Sequence, residues 1–119
     1  MARILIHIHT GPADANKATL ACTVAATAIR AEHEVAVFFA GDGVHCLAAA
    51  HADVTGKGTG RLGDHLAALR DGGARLFASG KSAEARGYDR SLIEPHGAEF
   101  AMPDRLIALT VECDRVLCY

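Results

Sequence analysis

Within Leu76-Phe77-Ala78-Ser79-Gly80-Lys81-Ser82-Ala83-Glu84-Ala85-Arg86-Gly87, two hydroxyls and a glycine stand where an apolar, strand-like run gives way to a helix-like one. A strand-to-helix turn leaves backbone N–H groups without partners, and the helix dipole favours an anion there. Lys81 and Arg86 add positive charge to the same segment. The chemistry this arrangement suits is the binding of a small anion. The same residues also suit an ordinary capped helix start, with Ser79 or Ser82 as the cap.

Thiols and imidazoles are the other groups able to do chemistry. Cysteines stand at positions 22, 46, 113 and 118, with no C-x-x-C pair and no zinc-ribbon or disulfide-framework spacing. Cys46 follows Gly41-Asp42-Gly43 closely and has His45 beside it, which makes it the foremost candidate for a reactive thiol. Read structurally, it is a small buried hydrophobe in a short helix. Cys22 and Cys118 read as core. Of the seven histidines, none forms an H-x-x-x-H or H-E-x-x-H pair, so no metal site and no cofactor is expected. His9 stands apart because it should emerge from the end of a strand. Gly58-Thr59-Gly60-Arg61-Leu62-Gly63 matches G-x-G-x-x-G but follows no strand pattern, so a loop is the better reading. Glu84 with Asp89, or Asp42 with Asp64, read as solvated charge.

These groups need a scaffold, and the chain has the makings of one. Its 119 residues suit a single domain, 1–119, and half of them are hydrophobic, which argues against disorder. With no Trp and few aromatics, alanine and branched aliphatics must fill the interior. A formal charge of −2 without basic clusters argues against nucleic acid and against an anionic membrane surface as partners. The opening apolar run is too brief for a signal peptide, and no stretch approaches transmembrane length, so a cytoplasmic location is expected.

Arg3 to His9 reads as a central strand, and Thr10-Gly11-Pro12-Ala13 as a turn. Asp14 or Asn16 caps a helix to about Ala31, whose inner face is read as Leu20, Val24 and Ala28. Glu34 to Ala40 is the second strand, closed by Gly41-Asp42-Gly43 and followed by a short helix through Ala50. Ala52 to Gly63 is polar and glycine-rich, and a mobile loop is expected. Leu62, Leu66 and Leu69 mark a helix that Gly72-Gly73 stops. Strands follow at Arg75 to Ala78 and around Glu99 to Ala101. Pro103 opens a helix whose face is read as Leu106, Ile107 and Val111, and Arg115 to Cys118 closes the fold.

Strands alternating with helices imply an α/β fold with a largely parallel sheet of about five strands and helices on both faces. Ligands of such sheets bind beyond the carboxyl ends of the strands. His9 and Gly11, Gly41-Asp42-Gly43, and Ser79-Gly80-Lys81-Ser82 with Arg86 should converge on that edge.

The segment at Ser79 resembles the DsrE/DsrF-like pattern Cys-Gly-x-Ser/Cys-Ala-x-x-Arg-Gly after a strand. Ile4-Leu5-Ile6-His7 with Gly11, Phe39-Ala40-Gly41-Asp42-Gly43-Val44, and Cys113-Asp114-Arg115-Val116-Leu117 resemble that family's other segments, in the same order through nearly the whole chain. The resemblance implies a three-layer α/β/α subunit that assembles into trimers or hexamers. It also implies kinship with intracellular sulfur-relay proteins, some of which carry a persulfide on the cysteine of this turn and hand it to small carrier proteins. That cysteine falls at Ser79, and the second variable position at Ser82.

A persulfide needs a thiolate, and a serine hydroxyl cannot form one. No spacing ties a base to Ser79. Three functions follow: a subunit that binds a small anion or a partner at the Ser79 turn without transferring sulfur; a sulfur carrier using another thiol such as Cys46; or a structural subunit of a homo-oligomer or of a mixed assembly with a cysteine-bearing paralogue.

Overall fold

The structure, a computed structural model, describes residues 1–119. Five strands form one parallel sheet: β1 (Arg3–Ile8), β2 (Glu34–Phe39), β5 (Arg75–Ser79), β6 (Glu99–Ala101) and β7 (Arg115–Cys118). Their spatial order is β6-β5-β2-β1-β7. The two remaining strands, β3 (Thr55–Gly56) and β4 (Gly60–Arg61), pair antiparallel in a small separate hairpin. The helices are α1 (Ala15–Arg30), α2 (Leu62–Asp71), α3 (Gly80–Ala85) and α4 (Pro103–Glu112). No helix is long and apolar enough to cross a membrane. The expected α/β fold, a five-stranded parallel sheet flanked by helices, is the one observed.

Period-two alternation splits the strands between two cores. Ile6, Ile8, Val35, Val37, Phe39, Leu76 and Ala78 pack beneath α1 and α2. Leu5, Ala36, Phe38 and Phe77 face the other way and meet Leu109 of α4. There Phe38 and Phe77 stack with ring centroids 6.2 Å apart, and the Arg105 guanidinium covers the Phe77 ring at 5.0 Å. β1 lies inside the sheet, in register with β2 on one side and the edge strand β7 on the other. Chain connections therefore leave β1 in one direction and return on its opposite flank, which opens a crevice at its carboxyl end.

Two helix faces differ from those read in the sequence. α1 buries Ala18, Ala21, Cys22, Ala25 and Ala26, while Leu20 is 41% exposed and Val24 and Ala28 are half-buried. The helix lies so close to the sheet that only small side chains fit beneath it, and the larger aliphatics are displaced to its flank. On α4 the seam is Leu106 and Leu109, with Cys113 just beyond. Ile107 and Val111 are rotated off it and are 64% and 82% exposed.

The segment from Ala52 to Gly63, expected as a loop, contains the β3–β4 hairpin. Side chains of α1 and α2 fasten it down. Thr19 Oγ1 lies 2.6 Å from Thr59 Oγ1, Thr23 Oγ1 donates to Thr59 O at 2.9 Å, and His65 Nε2 meets Thr59 O at 2.6 Å. Lys57 N–H donates to Asn16 Oδ1 at 2.6 Å. Polar residues hold this segment, so it carries no apolar periodicity for a sequence reading to find.

Candidate functional site

Three chain segments meet at the carboxyl edge of the sheet. After β1, His9 to Asp14 loops over to α1, where the Asp14 carboxylate caps the helix by accepting the Lys17 N–H at 3.1 Å. After β2, Gly41–Leu47 forms a tight 3-10 turn, followed by a second at Ala49–His51. After β5, Ser79 caps the short α3.

Missing β-carbons let the first two segments touch. A β-carbon at Gly11 would sit 2.6 Å from the Asp42 carbonyl oxygen, and one at Gly43 would overlap the Ile8 carbonyl. The second and third segments are joined by hydrogen bonds. Ser82 Oγ accepts the Gly41 N–H at 2.9 Å. Arg86 donates through Nε and a terminal nitrogen to Asp42 Oδ1 at 3.1 and 2.9 Å, and to the Ser82 carbonyl at 3.1 Å. Such a doubly donated, charge-assisted pair fixes orientation as well as position.

Ser79 itself is buried. Its hydroxyl accepts the Ser82 N–H at 3.1 Å, the expected capping bond. No imidazole or amine is hydrogen-bonded to it.

A model of the DsrE/DsrF-like family matches residues 2–119. The chain belongs to the DsrE/DsrF-like family. No curated protein matches it. Among solved structures it is similar to the YchN protein of E. coli, at 19% identity and a TM-score of 0.85, with each chain covered in full. A conserved protein of unknown function from Bacteroides thetaiotaomicron is also similar, at 13% identity and a TM-score of 0.74, over 99% of this chain and 95% of that one. At such identities the likeness concerns the fold.

On this DsrE/DsrF-like scaffold the residues singled out in the sequence fall into two groups. His9, Gly11 and Asp42 line a cleft of about 390 Å³, together with Thr10, Pro12, Ala13, Asp14 and His45. Ser79, Gly80, Lys81, Ser82 and Arg86 form the wall behind it without lining it, and Gly41 and Gly43 join the two. Lys81 is exposed and points a charge to solvent at the same edge. Ser79 lines none of the molecule's cavities.

Cys46 is wholly buried behind this turn. Its thiol donates to the Thr10 carbonyl at 3.6 Å, and burial pushes it up to about 12. Cys22 lies in the same core, its thiol likewise raised by burial and then by the neighbouring Cys46. Cys118, read as core, is exposed instead, because β7 is an edge strand. No cluster of three or more His, Cys, Asp or Glu is arranged to hold a metal ion.

His45, outside the sequence-derived set, lines the cleft, and Tyr88 holds its ring. His45 Nδ1 lies 2.5 Å from the Tyr88 hydroxyl, and its Nε2 lies 4.0 Å from Asp42 Oδ1. Position 88 is 43 residues away, and no spacing signal joins the two. The available sequence hint was His45 itself, three places after Asp42 at a strand end.

Proposed function

We propose that this DsrE/DsrF-like protein is a non-transferring relative of the sulfur-relay subunits, in which Ser79 stands where sulfur-carrying members have cysteine. It takes a small anionic ligand or a partner protein at the carboxyl edge around the Ser79 turn. The observation that carries this reading is the commitment of the Ser79 hydroxyl. It is buried, spent on capping α3, and has no base in contact. A hydroxyl in that state is neither a nucleophile nor a sulfur acceptor. The turn around it keeps its Arg86–Asp42 and Ser82–Gly41 ties, so what persists is a shaped edge without a thiol.

Cys46 is a poor replacement, since a thiol with a pKa near 12 is protonated at neutral pH and this one has no route to solvent. The protein acts in the cytoplasm as a homo-oligomer, a trimer or hexamer as in its resemblance to the family, or beside a cysteine-bearing paralogue or a sulfur-carrier protein. The unpaired β7 edge and exposed Ile107, Val111 and Leu117 support assembly. Light scattering at micromolar concentration tests this, and a monomer counts against it.

Mass spectrometry after incubation with a small-molecule persulfide tests the central reading. Beyond background exchange at the exposed Cys118, the wild-type chain should gain no sulfur, while Ser79→Cys should gain one sulfur atom on the peptide containing position 79. Stable sulfur on wild-type Cys46 would overturn the non-transferring reading.

A further inference from the structure

We infer that the cleft between the β1–α1 loop and the turn after β2 binds a small oxyanion through main-chain N–H groups of Thr10, Gly11 and Ala13 and the Nε2–H of His45, with Tyr88 as a positioning residue. The inference rests on the small-anion reading above and moves the ligand from the Ser79 turn into the cleft in front of it.

The lining residues decide the ligand's charge. Two carboxylates face the cleft, which at first sight favours a cation. Both are already engaged: Asp42 by two N–H groups of Arg86, and Asp14 by the first turn of α1. The unspent groups are donors. Pro12 has no N–H, and the Asp14 N–H is taken by the Gly11 carbonyl, but those of Thr10, Gly11 and Ala13 find no acceptor within the chain. Gly11 lines the cleft, where an anion can take the place of water on such N–H groups.

His45 supplies the fourth donor. A phenol is a stronger acid than a neutral imidazole N–H, so the Tyr88 hydroxyl donates to Nδ1 and leaves the ring proton on Nε2. Nε2 is the nitrogen on the Asp42 side, and His45 lines the cleft. The ring is further confined edge-on by His51, with centroids 6.1 Å apart. The groups facing His45 are thus Tyr88 and Arg86 (through Asp42) from beyond α3, Asp42 from its own turn, His51 from the next, and His9 and Asp14 across the cleft. A cleft of about 390 Å³ has room for such an ion together with its water.

The test uses the full chain labelled with nitrogen-15, titrated separately with sodium sulfate and sodium thiosulfate. Saturable shifts should concentrate at the Thr10, Gly11, Ala13 and His45 amides. His45→Gln should weaken binding on the order of tenfold and His9→Gln should leave it in place, with His45→Asn as a second variant if the glutamine unfolds the turn. Tyr88→Phe should move the His45 ring-nitrogen shifts away from a pure Nε2–H form. Saturable shifts at the Ser79–Ser82 amides alone would overturn the cleft and preserve the small-anion reading. Absence of saturable shifts anywhere would overturn both. An unchanged affinity in His45→Gln would remove His45 from the site.

Discussion

Gly11→Ala tests whether the two loops at the carboxyl edge are clasped as tightly as described. Gly11 has no left-handed backbone to protect, since its φ is not among the positive ones. Alanine can adopt its conformation, and the only obstacle is steric. The new β-carbon would lie 2.6 Å from the Asp42 carbonyl oxygen and 3.1 Å from its Cβ, where ordinary contact begins at 3.4 Å. The backbones must part by about 0.8 Å, a shift of the size that overpacking forces on a close-packed interior. Asp42 cannot simply retreat, because Arg86 holds its carboxylate and Ser82 holds the preceding Gly41 N–H. Overpacking of this kind costs about 1–3 kcal/mol. Against it stands the reduced entropy of the unfolded chain, which favours alanine by about 0.4–1 kcal/mol. The clash wins, for a net loss of about 1–2 kcal/mol. In urea denaturation followed by circular dichroism the midpoint should fall at constant slope. The amide resonances of Asp42 and His45 should move together. A Gly11→Ala protein as stable as the wild type, with those resonances in place, would mean that the loops are looser than the structure has them.

Ser79→Ala removes the cap of α3 and should cost about 1 kcal/mol by the same denaturation assay, leaving the main sheet intact. Alkylation with iodoacetamide near pH 8 should modify Cys118 first and spare Cys46. With its thiol held near 12, roughly one Cys46 in ten thousand is thiolate at that pH, and the group is buried as well; rapid native labelling at Cys46, read by peptide mass spectrometry, would contradict this. Burial first, and then the neighbouring His9, lower the pKa of His7, whose Nε2 is buried without a hydrogen-bond partner. The unfolded chain therefore takes up the proton first as pH falls. The stabilising contribution is present above about pH 6.5 and is lost as pH drops through the lower, folded value. His7→Phe should flatten the fall in stability between pH 7 and pH 5, and an unchanged slope would assign it to other histidines.

Alternation of strands and helices was legible because both periodicities survive in this chain. The second strand was read to Ala40 and ends at Phe39, and the third was read to Ala78 and ends at Ser79. What escaped were features decided between elements. α1 presents its alanines inward because the helix must approach the sheet closely, whereas a search for large aliphatics at helical spacing selects Leu20, which faces solvent. The hairpin at Thr55–Arg61 depends on hydroxyls of α1 some 40 residues earlier, a relation that local composition does not encode.

At the site, topology carried the reading further than motif did. A strand end followed by glycine marks a place where backbone comes close, and Gly11, Gly41 and Gly43 all lie on the loops that meet. The Ser79 motif drew attention by its chemistry, yet its hydroxyl is spent on structure while the unspent donors lie one layer forward, on the loop after β1. The two layers are mechanically one: Arg86 reaches from behind the wall to Asp42, and Asp42 stands 4.0 Å from the His45 ring in the cleft. A change at Arg86 should therefore be felt at His45 without touching any ligand. Arg86→Ala would free the Asp42 carboxylate to pair with His45 and raise the negative charge of the cleft. Anion binding should weaken by about tenfold, since an unshared carboxylate repels the ligand. If Arg86→Ala instead leaves anion affinity as in the wild type, the wall and the cleft are independent. The Ser79 turn would then have no part in this protein's ligand chemistry.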